Sequence, residues 1–234
     1  MQDGRVLITG ASRGLGRGLV ERFLSAGATV SGCSRQASDL DHPNYTHFVV
    51  DIGDEPSVVS MFKQIAALKV PLNLLINNAG VSQASLGILA RADSAEQIIR
   101  TNLLGTFLVS REALKLMQRQ KYGRIVNFSS INVPLASAGS SLYNASKAGV
   151  EAFSGVLARE CGVADITINT LGLSLVGNSG MLDALGEKAI LAKQSNMLKP
   201  GVLDLEEIMH AINFFSSPLA RNITCQTVYF GGLR

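Results

Sequence analysis

An open parallel sheet of about seven strands, doubly wound with helices on both faces, is the α/β fold predicted by this 234-residue sequence. Three observations predict it. Short runs rich in Val and Ile, bounded by turn residues, alternate with longer stretches at helical period, as in successive βαβ units. The strand-like runs are apolar along their length, which suits a sheet covered on both faces. With 47% hydrophobic and 17% charged residues, and 23 Gly against 6 Pro, the composition favours a buried sheet with many tight turns over a disordered chain.

The strands are expected at Arg5–Thr9, Thr29–Cys33, His47–Val50, Leu72–Asn77, Arg124–Ser129, Ile166–Leu171 and Thr227–Phe230. Between them the helical period places helices at Leu15–Ala26, Pro56–Leu68, Ala95–Gln120, Leu142–Cys161 and Asp204–Ser216. No repeat, low-complexity tract or linker interrupts the alternation, so one domain over residues 1–234 is expected. The only long stretch without a clear strand is Ser174–Gly201. Ligands of doubly wound sheets sit beyond the carboxyl ends of the strands, and this stretch follows one, so it is expected to be a substrate lid.

Charge and cysteine usage exclude several classes. The formal net charge is +3 and the basic residues are scattered, unlike the stripe that nucleic acid requires. No apolar run reaches the roughly 18 residues of a membrane helix. A strand-like run begins directly after Met1–Gly4, leaving no room for a signal peptide, so a cytoplasmic protein with small-molecule partners is expected. Cys33, Cys161 and Cys225 lie far apart, and His42, His47 and His210 form no i, i+4 pair. Buried free thiols and no metal site follow from those spacings.

Thr9-Gly10-Ala11-Ser12-Arg13-Gly14-Leu15-Gly16 lies between the first strand and the first helix. Glycines there permit a tight turn and close approach of a pyrophosphate to a helix N-terminus. After the second strand, where an acidic residue would hold a ribose 2′-hydroxyl, the chain reads Cys33-Ser34-Arg35. Arg35, Ser34 and Arg13 suit a 2′-phosphate, since charge-assisted bonds to phosphate favour arginine; the competing reading makes both arginines solvated surface charges. Tyr143 and Lys147 stand four positions apart on one helix face, which brings an ammonium near a phenol and lowers its pKa from ~10. Ser130 ends a strand, and alone would pass for an ordinary cap.

Taken together, the Gly10, Gly14, Gly16 spacing, Asn77-Asn78-Ala79-Gly80, Asn102, Ser130, Tyr143-x-x-x-Lys147 and Ile223-Thr224-Cys225-Gln226 resemble the short-chain dehydrogenase/reductase family along essentially the whole chain. The resemblance implies a Rossmann-like domain that uses NADP(H) to transfer hydride to a ketone or aldehyde. It implies an active site of Asn102, Ser130, Tyr143 and Lys147. Tyr143 would be the general acid, Ser130 the partner of the substrate carbonyl oxygen and Asn102 the holder of a relay water; Lys147 would also bind the nicotinamide ribose. Coenzyme contacts are implied at Gly10, Ser12, Arg13, Gly14, Leu15, Gly16, Ser34, Arg35, Asp51, Ile52, Asn78, Ala79, Gly80, Tyr143, Lys147 and Val176. Asp51, implied at the adenine, also fits a strand-ending cap. A homodimer or homotetramer through the helices around Ala95–Gln120 and Leu142–Cys161 is implied as well.

The chain departs from the family pattern after the sixth strand, where Leu173-Ser174 replaces Pro-Gly and Asn178 takes the usual Thr place. Cys225 stands at a usual glycine and Gly231 at a usual aspartate. The motifs resemble acyl-carrier-protein ketoreductases too, although Ala164-Asp165 offers no cation for an acidic carrier. A third reading, a coenzyme-binding regulator without turnover, is opposed by the complete set of four active-site residues. Leu175, Met181, Leu182, Leu185 and Met197 promise an apolar pocket wall without naming a substrate.

Overall fold

The computed structural model describes residues 4–83, 85–177 and 186–232. Its main sheet has seven strands: β1 (Arg5–Thr9), β2 (Thr29–Ser34), β3 (Tyr45–Val49), β4 (Leu72–Asn77), β5 (Tyr122–Ser130), β6 (Asp165–Leu173) and β9 (Thr227–Tyr229). They pair in the order β3-β2-β1-β4-β5-β6-β9, every neighbour parallel. The order reverses between β1 and β4, which opens a crevice beyond their carboxyl ends.

Alternation along β1 divides the core. Val6 and Ile8 face one layer with Leu19, Val20 and Phe23 of α1 (Gly14–Ser25) and Ile208, Ile212 and Phe215 of the last long helix, Leu205–Ser216. Leu7 faces the other, with Val58, Met61 and Ile65 of α2 (Glu55–Ala67) and Val109, Ala113 and Met117 of α4 (Thr106–Gln120). Such side chains each contribute roughly 1.5–3 kcal/mol by leaving water. Asp54 caps α2 by accepting from Ser57 N at 3.0 Å. Asp204 and Glu207 form a reciprocal capping box on the Leu205–Ser216 helix. Among the described residues no helix is long and apolar enough to cross a membrane.

Several boundaries differ from expectation. β3 begins at Tyr45 rather than His47, because its pairing with β2 starts at Val30 opposite Tyr45. β5 and β6 each extend past the expected ends, zipped together from Tyr122–Asp165 to Ser130–Leu173. The expected helix Ala95–Gln120 begins earlier, as α3 (Ala92–Ile99), and reaches α4 through a wide π-turn at Arg100–Gly105. An inserted residue of this kind leaves backbone groups for other uses. Beyond a four-residue turn of helix, α5 (Asn132–Leu135), the expected Leu142–Cys161 helix is α6 (Ser141–Glu160).

The expected lid stretch is not strandless. Leu175–Val176 forms β7, paired in parallel with β8 (Val202–Leu203), and Glu187–Gln194 forms α7; the Leu205–Ser216 helix is then α8. Asn178, Met181, Leu182 and Leu185 lie outside the described residues. Cys33 and Cys161 are buried free thiols, pushed up by burial to about 12 and about 11. Cys225 departs from that expectation: it is only half-buried and has a φ of +61°, the left-handed conformation that explains a glycine at the corresponding family position.

Candidate active site

The glycine loop follows β1 and is built by close approach. Gly10 and Gly14 have φ of +71° and +54°, which glycine adopts without steric cost. A Cβ on Gly16 would stand 2.1 Å from the Gly10 carbonyl oxygen, so α1 touches the loop too closely for any side chain. Arg13 is the N-cap of α1 and its side chain makes no capping bond, and no acidic residue stands in the first turn. The positive helix end therefore keeps its N–H groups for an anion, the arrangement that suits a pyrophosphate.

Asn78 and Ala79, expected to touch coenzyme, also tie this loop to β4. The Asn78 side chain donates to the carbonyl oxygens of Thr9 and Gly10 at 2.8 and 3.2 Å. The N–H groups of Asn78 and Ala79 donate to Thr9 Oγ1 at 3.1 and 3.0 Å. The Asn78 amide is thus a brace of the loop that the coenzyme is expected to meet. Thr9 had no assigned role in the sequence, and a threonine preceding the first glycine was the available signal.

Arg35, just past β2, and Arg13, in the glycine loop, are both exposed and, among the described residues, form no hydrogen bond or ion pair. Ser34, expected to donate to the 2′-phosphate, already has partners. Its hydroxyl donates to Gln36 O at 2.6 Å and lies 3.0 Å from His47 Nε2, while His47 Nδ1 meets the Tyr45 hydroxyl at 2.7 Å. Burial lowers the His47 pKa. Asp39, the nearest acidic residue after β2, is bound to Arg17 at 2.5 Å. Asp51 Oδ1 accepts from Gly53 N at 2.9 Å, as in a strand-ending turn. Ile52 is buried, and the Cβ that Gly105 lacks would lie 2.7 Å from it.

The four expected catalytic side chains come from β5, the π-turn and α6, and all are buried. The Ser130 hydroxyl accepts from Asn132 N at 3.2 Å and faces the Tyr143 phenol, whose pKa it lowers. Lys147 Nζ donates to Phe128 O at 2.7 Å and lies 5.9 Å from the centroid of the Tyr143 ring. Burial pulls Lys147 down to about 8. The Tyr143 pKa is raised, by burial first, against a lowering from the Ser130 hydroxyl. The expected lowering by Lys147 is not what the fold shows: the ammonium is aimed at the β5 carbonyl of Phe128, and burial of the phenol sets the direction.

Asn102 is wholly buried. Oδ1 accepts from Val81 N at 2.8 Å, and Nδ2 donates to Val81 O at 2.9 Å and Ser146 Oγ at 3.0 Å. Ser146 Oγ in turn donates to Tyr143 O at 2.7 Å. A Cβ on Gly80 would lie 3.3 Å from Asn102 Oδ1 and 3.6 Å from Lys147 Nζ, so these three residues do converge. The Asn102 side chain is therefore a clamp between the Val81 backbone and α6, so a relay water at Asn102 would have to use its backbone. Behind Ser130, Ile131 packs with Leu175 and Met197, two of the expected apolar wall residues, and Val176 is half-buried beside them in β7.

Comparison with known proteins agrees with the fold. Residues 4–189 match the family model for short chain dehydrogenases. The chain is 32% identical to the 3-oxoacyl-[acyl-carrier-protein] reductase FabG of Vibrio harveyi, with 98% of this chain and 97% of that protein covered. It is 29% identical to FabG of Escherichia coli strain K12, with the same shares covered. Among solved structures, ElxO with NADP bound is 25% identical with a TM-score of 0.86, covering 97% of this chain and 96% of that one. A Leptospira borgpetersenii short chain dehydrogenase with bound NAD+ has a TM-score of 0.88 at 24% identity, covering 99% and 92%. With a family model matched over most of its length and a relative of that similarity aligned almost end to end, the chain belongs to the short-chain dehydrogenase family of oxidoreductases.

Proposed function

We propose that the protein is an NADPH-dependent carbonyl reductase in which Tyr143 protonates the oxygen of a ketone or aldehyde. The coenzyme, when bound, supplies the hydride that the carbonyl carbon accepts. Its pyrophosphate fits the uncapped N-terminus of α1 and the Gly10–Gly16 loop, with Ser12 and Leu15 in the same turn. The exposed guanidiniums of Arg35 and Arg13 fit a 2′-phosphate. Ser34 joins them by turning its proton away from Gln36 O. Asp51 and Ile52 border the adenine, and Ala79, Gly80 and Val176 the nicotinamide side.

The observation that carries this reading is the Ser130–Tyr143–Lys147 arrangement. Ser130, whose hydroxyl faces the phenol, would hold the carbonyl oxygen against it. The phenol, its pKa raised, is fully protonated at neutral pH, which is the form reduction requires. Lys147 remains charged below about 8 and spends one donor on Phe128 O, leaving two for ribose hydroxyls. Outside the site, Phe107 and Phe153 meet edge-on at 6.4 Å where Leu104 and Val156 are also exposed, and this face of α4 and α6 supports the reading of a homo-oligomer.

A 3-oxoacyl thioester carried on acyl carrier protein is the second reading, favoured by the activity named for the relatives in Vibrio and Escherichia. The apolar rim of Leu86, Ile88 and Leu89, all exposed beside the start of α6, suits an acyl chain. Following NADPH oxidation with ketones, quinones, free acyl thioesters and carrier-borne thioesters tests both readings. Turnover with a carbonyl compound is expected. Tight NADPH binding with no turnover across the panel would favour the regulator reading instead.

A further inference from the structure

The first turn of α6 carries Tyr143, yet the helix lacks a cap of its own. Ser140, at the N-cap position, makes no side-chain bond to the turn; its hydroxyl donates backward to Ser137 O. The N–H groups of the first helical turn have no intrahelical partner and need an acceptor from elsewhere. Gln83, in the loop after β4, provides it. Its Oε1 accepts from Leu142 N at 2.8 Å and from Tyr143 N at 3.4 Å, and its Nε2 donates to Ser85 O at 2.7 Å.

That loop is fixed at its other end as well, because Asn102 binds both backbone groups of Val81. Val81–Gln83 thereby forms a short strut from the π-turn to the backbone of Tyr143. Asn102 also reaches the same residue from below, through Ser146 to Tyr143 O. Tyr143 is held at its N–H by Gln83 and at its carbonyl by Ser146.

We infer that Gln83 is a positioning residue for Tyr143, a cap supplied from another loop that sets where the phenol meets Ser130. The inference rests on the proposed role of Tyr143 as proton donor. A displacement of the order of 1 Å in such a group can cost about a hundredfold in rate without loosening the ligand. Gln83 touches neither reacting atom, so its effect belongs in turnover and not in coenzyme affinity.

The test compares Gln83→Leu, Gln83→Ala, Gln83→Glu and Tyr143→Phe, with rates per NADPH-binding site so that partly folded preparations are still read. NMR hydrogen exchange of the Leu142 and Tyr143 amides is measured alongside, and needs no substrate. Gln83→Leu and Gln83→Ala should speed exchange at both amides and lower kcat, each at least about tenfold, with the NADPH Kd unchanged. Gln83→Glu keeps an acceptor and should restore protection and most of kcat. Wild-type exchange in Gln83→Leu, or a Gln83→Glu variant as impaired as Gln83→Leu, overturns the inference. A slow Tyr143→Phe beside a fast Gln83→Leu overturns this inference alone; a fast Tyr143→Phe removes the proton-donor reading and this inference with it.

Discussion

Replacing Lys147 by methionine should stabilise the coenzyme-free protein at neutral pH, although it removes a residue that catalysis needs. Lys147 is 5% exposed, and burial takes its pKa from the ordinary 10.5 to about 8. At 1.36 kcal/mol per unit, holding that charge in the fold costs about 3 kcal/mol. Methionine fills a similar volume and loses the bond to Phe128 O, worth roughly 1 kcal/mol, so the net gain is about 2 kcal/mol. For a chain of this length that corresponds to a rise in Tm of about 4–8 °C.

The pH dependence carries the sign. Between about 8 and 10.5 the unfolded lysine holds a proton that the folded one has released, so wild-type stability rises with pH through that window. Lysine's full cost is present below about 8 and absent above 10.5. Thermal unfolding of both proteins across pH 6 to ~10.5 should therefore show an advantage for Lys147→Met that is largest at the acid end and shrinks toward the alkaline end. A wild type more stable at pH ~7, or a difference that does not change with pH, would refute the argument from desolvation.

Three further outcomes follow from the coenzyme end and the π-turn. Arg35→Asp should weaken NADPH binding by about tenfold to a hundredfold and favour NADH, measured by coenzyme fluorescence titration; a wild type binding both coenzymes equally would sink the 2′-phosphate assignment. Gly16→Ala puts a methyl group 2.1 Å from Gly10 O. It should cost about 1–3 kcal/mol in denaturant unfolding and abolish coenzyme binding, whereas an unchanged midpoint would mean that the loop relaxes freely. Asn102→Ala leaves both Val81 backbone groups without that partner and should destabilise by about 2 kcal/mol or more, read in the same unfolding assay.

The sheet was legible because its signal is local and repeated. Val6, Leu7 and Ile8 alternate between two buried layers, and the turn residues after each strand mark its end. The glycine loop and the Tyr143–Lys147 pair were legible because a single helical or turn geometry connects their members. What escaped depends on partners distant in the chain. Asn102 meets Val81 and Ser146 across a π-turn that helical period alone does not reveal. Gln83 caps a helix that begins 58 residues later. The engagement of Ser34 by His47 requires β2 and β3 to pair in one register. The two-residue strands β7 and β8 are too short to carry any period.

The central claim, that Tyr143 donates the proton to a carbonyl oxygen, is tested most directly by Tyr143→Phe. The substitution removes one hydroxyl from a buried ring and leaves the Gly10–Gly16 loop untouched. Steady-state carbonyl reduction and NADPH affinity are measured on the same preparation. The account predicts turnover lower by about 10²–10⁴-fold with NADPH affinity within about twofold of wild type. A Tyr143→Phe protein that reduces a good carbonyl substrate at near-normal rate would contradict it.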